Sequence, residues 1–165
     1  MKLKTWLIIG GVVLLVIIIL ISISFSTVGA TEWALKYSSI DQNIDGTKVY
    51  QGGRYMVGPF ARFITFPRDA KTVEFSTSGR AQENPLATRT NDGLALTLHF
   101  SFQYKLVKDD IPELYRELLL NYERTFRKIA RELVLKIAGT YNAEDYWKKR
   151  TAIGESMRTS LEVSL

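Results

Sequence analysis

The 165-residue chain has no cysteine and a single histidine, His99. The first absence removes disulfides, thiol nucleophiles and thiolate metal sites together, and it fits any redox compartment. The second means that a Ser-His-Asp arrangement must include His99 or fail. No cationic run exceeds Lys148-Lys149-Arg150, and there is no helix-turn-helix or RNA-binding signature. Nucleic acid is therefore not an expected partner. The net charge of +5 implies solubility and some attraction to anionic lipid headgroups. Asn-x-Ser/Thr acceptors, internal repeats and low-complexity tracts are also missing.

Against these absences stands an uncharged stretch from Thr5 to Thr31, with a nearly continuous apolar core at Trp6–Ile21 that tapers through Ser22, Ser24, Ser26 and Thr27. A helix rising about 1.5 Å per residue needs roughly 20 residues to cross a hydrocarbon core, and Thr5–Phe25 supplies that length. A cleaved signal peptide is the competing reading, with Lys2 and Lys4 as its n-region and Val28-Gly29-Ala30 as the cleavage site. Signal cores, however, run to about 7–15 apolar residues. A retained transmembrane anchor is expected over residues 5–27, behind a short tail 1–4. Trp6, Leu7, Leu14, Ile18 and Phe25 would be its lipid contacts, with the two aromatics near the interfaces. Gly10-Gly11 lacks a small partner four residues away and is not a dimerisation motif. Lys2 and Lys4 place the N-terminus on the cytoplasmic or matrix side and the remainder of the chain across the membrane.

The roughly 135 residues that follow are enough for a domain with a real core. Trp33, Leu35 and Tyr37 alternate as in a strand, and Asn43-Ile44-Asp45-Gly46 reads as a turn. Val49–Phe66 is a chain of short strands punctuated by Gly52-Gly53 and Gly58-Pro59, and Lys71–Phe75 is another strand. From Leu94 to Leu106 large apolar residues alternate without a break, which predicts one long strand buried on one side. Asn91-Asp92-Gly93 is the hairpin turn pairing it with Leu86–Thr90. The period then becomes helical. Asp110 and Glu113 form an acidic capping pair with Pro112 in the first turn. Tyr122, Phe126, Ile129, Leu133 and Ile137 share one face, Glu123–Arg127 and Glu132–Lys136 are i,i+4 pairs, and Gly139 is the stop. Asn142 reads as a second cap, and the polar helix from Tyr146 is expected to continue past Leu165. The order of elements is anchor, strands, then helices: an α+β class chain.

Several segments together resemble the stomatin/prohibitin/flotillin (SPFH, band 7) family. They are Val49-Tyr50-Gln51-Gly52-Gly53-Arg54-Tyr55, Gly58-Pro59-Phe60 running into Phe63-Ile64-Thr65-Phe66-Pro67, Arg89-Thr90-Asn91-Asp92-Gly93, Asp109-Asp110, and Ala138-Gly139-Thr140-Tyr141-Asn142-Ala143-Glu144-Asp145. The resemblance implies an antiparallel-rich SPFH domain at residues 32–140, the start of a C-terminal helical segment at 141–165, and a non-enzymatic scaffold. It further implies membrane lipids, other copies or related SPFH subunits, and larger membrane complexes as partners. It allows the mitochondrial inner membrane, endoplasmic reticulum or plasma membrane, the first being favoured.

No constellation for catalysis, cofactor or metal binding is expected. His99 lies on the polar face of its strand near Ser101, and Asp109-Asp110 is explained by capping. Gly52-Gly53 lacks phosphate-loop spacing. Phe60, Arg62, Phe63, Phe66 and Arg68 would either fill the sheet's core or dip an apolar edge into lipid headgroups. Tyr146, Trp147, Lys148 and Arg150 would form a subunit contact or a solvated helix end. A low-copy accessory subunit of a respiratory or protease complex is the alternative to a laterally assembling scaffold, and an anchored hydrolase is disfavoured.

Overall fold

The computed structural model describes residues 2–164, with the side chains of residues 2–5, 7 and 8 outside the described set. The first helix, α1, spans Lys2–Ile23. Described side chains in it are Trp6 and Ile9–Ile23, exposed throughout. Among the described residues no helix is long and apolar enough to cross a membrane. The helix also stops earlier than the apolar pattern predicts: Phe25 opens strand β1 (Phe25–Val28) rather than closing the helix. The Phe-Ser-Thr-Val composition favours extended backbone, and a pairing partner is available to take it.

The chain divides into two compact units. The first contains the residues up to Ala70 together with Lys105–Glu113. It holds two antiparallel sheets. One pairs β1 with β4 (Gly53–Met56). The other has the order β3-β2-β5, from β2 (Glu32–Ser38), β3 (Asn43–Tyr50) and β5 (Ala61–Pro67). The expected turn at Asn43–Gly46 is instead the start of β3, and the turn falls at Ser39–Gln42, with Gln42 at φ 49°. The Ser38 hydroxyl holds this turn by donating to Asp41 Oδ2 (2.9 Å). The turn-forming composition of Asn43–Gly46 is overridden by pairing with β2. A bulge absorbs the misfit: Leu35 faces Val49 while Lys36 faces Asp45. Ala34 and Leu35 at the centre, Phe66 on β5 and Val28 on β1 are buried. Gly52 lies against the β1–β2 connection, where a Cβ would come within 2.6 Å of Ala30 Cα.

The second unit contains Lys71–Tyr104 and the residues from Leu114 on. Strand β6 (Lys71–Phe75) pairs with β9 (Phe100–Tyr104), and β7 (Leu86–Arg89) with β8 (Ala95–Leu98), all antiparallel. The single long strand expected from Leu94 to Leu106 is thus two strands parted at His99, each with its own partner. Burial still alternates along it, as the apolar pattern requires. Gly93, at φ 83°, makes the turn between β7 and β8.

A one-turn 3₁₀ segment, Lys108–Asp110, leads into α2 (Ile111–Leu118), and a second one precedes α3 (Tyr122–Ala138). The buried face of α3 is Tyr122, Phe126, Ala130, Val134 and Ala138, with Ile129, Leu133 and Ile137 on its flank. The expected face is therefore rotated by one position in its C-terminal half. Alanines at 130 and 138 let the backbone approach its packing partners closely, so small side chains occupy the centre of the contact. Val134 joins Val73, Phe75 and Leu86 in the core, and Phe75 stacks on Phe100 at 4.4 Å between ring centroids. Arg127 does not close the expected pair with Glu123; with Arg131 it converges on Glu83, at 3.3 and 2.9 Å.

Two short helices complete the unit, α4 (Asp145–Lys148) and α5 (Arg150–Ser164), the latter burying Ile153 and Leu161. Asn142 does not cap α4 with its side chain. Its Oδ1 accepts from Asn91 Nδ2 (3.1 Å), while Asp92 Oδ1 accepts from the Ala143 amide (3.1 Å), so the hairpin turn clasps the segment after α3.

Two outcomes are expected. Phe75→Ala removes a fully buried ring and should cost about 3–5 kcal/mol in chemical denaturation. The Asp92 carboxyl is held below its ordinary 3.8 by hydrogen bonds from Thr90 and then the Ala143 amide. A depressed carboxyl contributes fully above its unfolded value and loses that contribution as pH falls through the folded one. Hydrogen-exchange protection at Ala143 should therefore fall as pH drops below 3.8, and Asp92→Asn should abolish that pH dependence.

Candidate functional site

The C-terminal end of α1 is joined to the first unit without a linker. The Ser24 amide donates to the Leu20 and Ile21 carbonyls, and its hydroxyl donates to the Leu20 carbonyl (2.7 Å). Ser24 is itself buried. Its carbonyl accepts from the amides of Val57 (2.9 Å) and Gly58 (3.3 Å), in the connection between β4 and β5. The last carbonyls of a helix need partners from outside it, and here a loop of the domain supplies two donors at the exit residue.

From that loop the hydrogen bonding continues outward. The Phe60 carbonyl accepts from Ser39 (2.8 Å), which brings the Ser39–Gln42 turn beside Gly58–Phe60. Large apolar side chains are left uncovered on these segments: Ile40 at 71 % exposure, Met56 at 68 % and Phe60 at 60 %. Met56 faces Phe25 in the β1–β4 pair, and Phe25 carries the Arg54 guanidinium over its ring at 5.1 Å. An exposed apolar cluster of this kind marks an interaction surface more often than a lone exposed residue does.

Between the turn and the loop lies an open cleft of about 610 Å³. Ile44 and Val57, both buried, contribute to its lining, as do Lys36, Asp41 and Asp45, with Ile40 and Phe60 beside them. Asp45 accepts from the Thr47 hydroxyl and amide, and these bonds hold its carboxyl below the ordinary carboxylate range, assisted by the charge of Lys36 opposite it.

The residues expected to form a lipid-facing edge are only partly brought together. Phe60 is exposed beside the exit of α1. Phe63 is half-buried, packed on Tyr50 and Tyr55. Phe66 is 1 % exposed and belongs to the core, because its position on β5 points opposite Trp33 into the unit; it cannot touch lipid. Arg62 and Arg68 lie over the rings of Tyr37 and Trp33 at 5.0 and 5.2 Å, their cations held against aromatic faces. Sequence reasoning missed Ile40 and Met56, which are isolated apolar residues at a turn and a strand end with no periodicity to mark them. Of the anchor residues, Trp6, Leu14 and Ile18 are exposed on α1, and the Leu7 side chain lies outside the described residues.

In the second unit, Tyr146 turns inward and its hydroxyl donates to the Ala138 carbonyl (2.9 Å). The bond ties the start of α4 back to the end of α3. Trp147 is 89 % exposed, Lys148 pairs with Glu144, and Arg150 is exposed at the start of α5. Burial, followed by the neighbouring Glu123 charge, pushes the Tyr122 phenol up to about 12, and burial likewise raises Tyr104, so both stay protonated as packing groups against Phe126. His99 is exposed at the strand break, and Asp109 and Asp110 sit in the 3₁₀ turn. Among the described residues no three His, Asp or Glu side chains gather as metal ligands would.

The contrast between two phenylalanines is measurable. Phe66→Glu buries an unpaired charge and should lower stability by roughly 4 kcal/mol or more, while Phe60→Glu should stay within about 0.5 kcal/mol of the parent in thermal melts.

No curated protein matches the chain. A family model described as SPFH domain / Band 7 family matches residues 26–165, which begins one residue into β1 and leaves α1 outside the match. The resemblance carried by the turn and strand motifs is thereby shown, and the chain belongs to the SPFH domain / Band 7 family.

Proposed function

We propose that this chain is a non-enzymatic scaffold that α1 anchors in a membrane and that assembles laterally to organise a microdomain or a membrane protein complex. The family is membrane-associated and its members are generally scaffolds. The observation that carries the reading for this chain is the exit of α1. An apolar helix passes directly into a sheet, and Phe25, Ile40, Met56 and Phe60 are left uncovered at that junction. The uncharged part of α1, residues 5–23, would rise about 28 Å, close to the roughly 30 Å of a hydrocarbon core. Lys2 and Lys4 favour an N-terminus on the cytoplasmic or matrix side, with the chain beyond α1 across the membrane and the mitochondrial inner membrane as the leading location. Trp147, with Lys148 and Arg150 beside it, is the proposed contact with the neighbouring copy, since exposed Trp and Arg are favoured at interfaces.

The absence of cysteine makes a clean test available. The protein should resist alkaline carbonate extraction from membranes, and removal of residues 2–23 should release it. A Trp147→Cys variant treated with a bifunctional thiol reagent should cross-link into species larger than a monomer. The mass of the assembly in mild detergent should correspond to many copies. A monodisperse monomer by light scattering would sink the scaffold reading.

A further inference from the structure

We propose that the cleft between the Ser39–Gln42 turn and the Val57–Phe60 loop binds the headgroup of a phospholipid bearing a primary amine, with the ammonium on Asp41 and the phosphate on Lys36. The inference rests on the anchored reading of α1, because that reading sets the cleft at headgroup level: Val57 and Gly58, which line it, are the two donors bound to the exit carbonyl of Ser24. At about 610 Å³ the cleft falls within the range of small-molecule sites, roughly 300–1,000 Å³. Ile40 and Phe60 give it an exposed apolar rim suited to the first atoms of acyl chains.

Charge selects the headgroup. Lys36 stands among Asp41 and Asp45, an excess of one negative charge that disfavours anionic lipids. Asp45 is already engaged by Thr47, and it stands opposite Lys36 in the β2–β3 register. Asp41 accepts from the Ser38 hydroxyl, and a carboxylate has about four acceptor sites, so capacity remains for an ammonium with N–H donors. A quaternary amine has no such donors, and Phe60 alone does not make the aromatic cage that would replace them.

The test uses the full chain in mild detergent, titrated calorimetrically with dihexanoyl phosphatidylethanolamine, phosphatidylcholine and phosphatidylglycerol below their micelle thresholds. The ethanolamine lipid should bind about tenfold or more tightly than either of the others. Asp41→Asn should remove that preference, Lys36→Gln should weaken binding of all three lipids, and Glu117→Gln in the second unit should leave both affinity and preference intact. Equal affinity for the three lipids, preference for phosphatidylglycerol, or ethanolamine binding that survives both substitutions overturns the proposal. The lipid series on the unmodified protein decides the question even where a variant misfolds. Carbonate extraction of the same membranes separates the two ideas. Selectivity without membrane retention defeats the anchor alone, and retention without selectivity defeats the cleft alone.

Discussion

The first unit depends on how a helix surrenders its last carbonyl. An α-helix ends with four acceptors that its own backbone cannot satisfy, and an apolar helix has few side chains with which to improvise. In this chain Ser24 solves the problem locally, its hydroxyl turned back onto Leu20 and its carbonyl given to Val57 and Gly58. Because those donors belong to the connection between β4 and β5, the helix exit, the β1–β4 pair and the loop at Phe60 are fixed by one set of bonds. The register of Phe25 opposite Met56 then follows, and with it the apolar rim and the walls of the cleft.

The second unit is organised by a different constraint, close approach. Its central helix presents Ala130 and Ala138 between larger residues, and Val134 reaches the cluster of Val73, Phe75 and Leu86. Polar groups are arranged around that contact rather than within it. Arg127 and Arg131 share Glu83, and the hairpin at Asn91-Asp92 clasps Asn142 and Ala143.

Much of this was legible in the sequence, for identifiable reasons. The alternation of burial from Leu96 to Leu106 and the Asn-Asp-Gly turn follow local rules, although the run breaks into two strands at His99, and the change to helical period after Ile111 is likewise local. The failures have physical causes too. Asn43–Gly46 has turn composition but lies in β3, because pairing with β2 outweighs local preference and a bulge at Leu35/Lys36 takes up the mismatch. The face of α3 was misjudged because alanine carries little weight in an apolar count, although it marks the tightest packing. Phe66 and Phe60 share a residue type and a segment, yet one is core and the other rim. Phe66 lies within β5 opposite Trp33, while Phe60 lies in the connection ahead of that strand, and residue type does not record the difference. Ile40, Met56 and the cleft between two loops have no pattern at all, since a turn brings together residues whose spacing means nothing by itself.

The direct passage from α1 to β1 has a mechanical meaning. A flexible tether would let a helix tilt, rotate or slide while the attached domain stayed still. Here the exit residue is bonded on both sides, and Gly52 is pressed so close to Ala30 that no side chain could be inserted between them. A change in the inclination of α1 is therefore delivered to the β1–β4 ribbon as torque, and the walls of the cleft move with it. Were α1 to span a bilayer as proposed, thickness and lateral tension acting on its tilt would reach the ribbon through Ser24, the fulcrum of a lever arm.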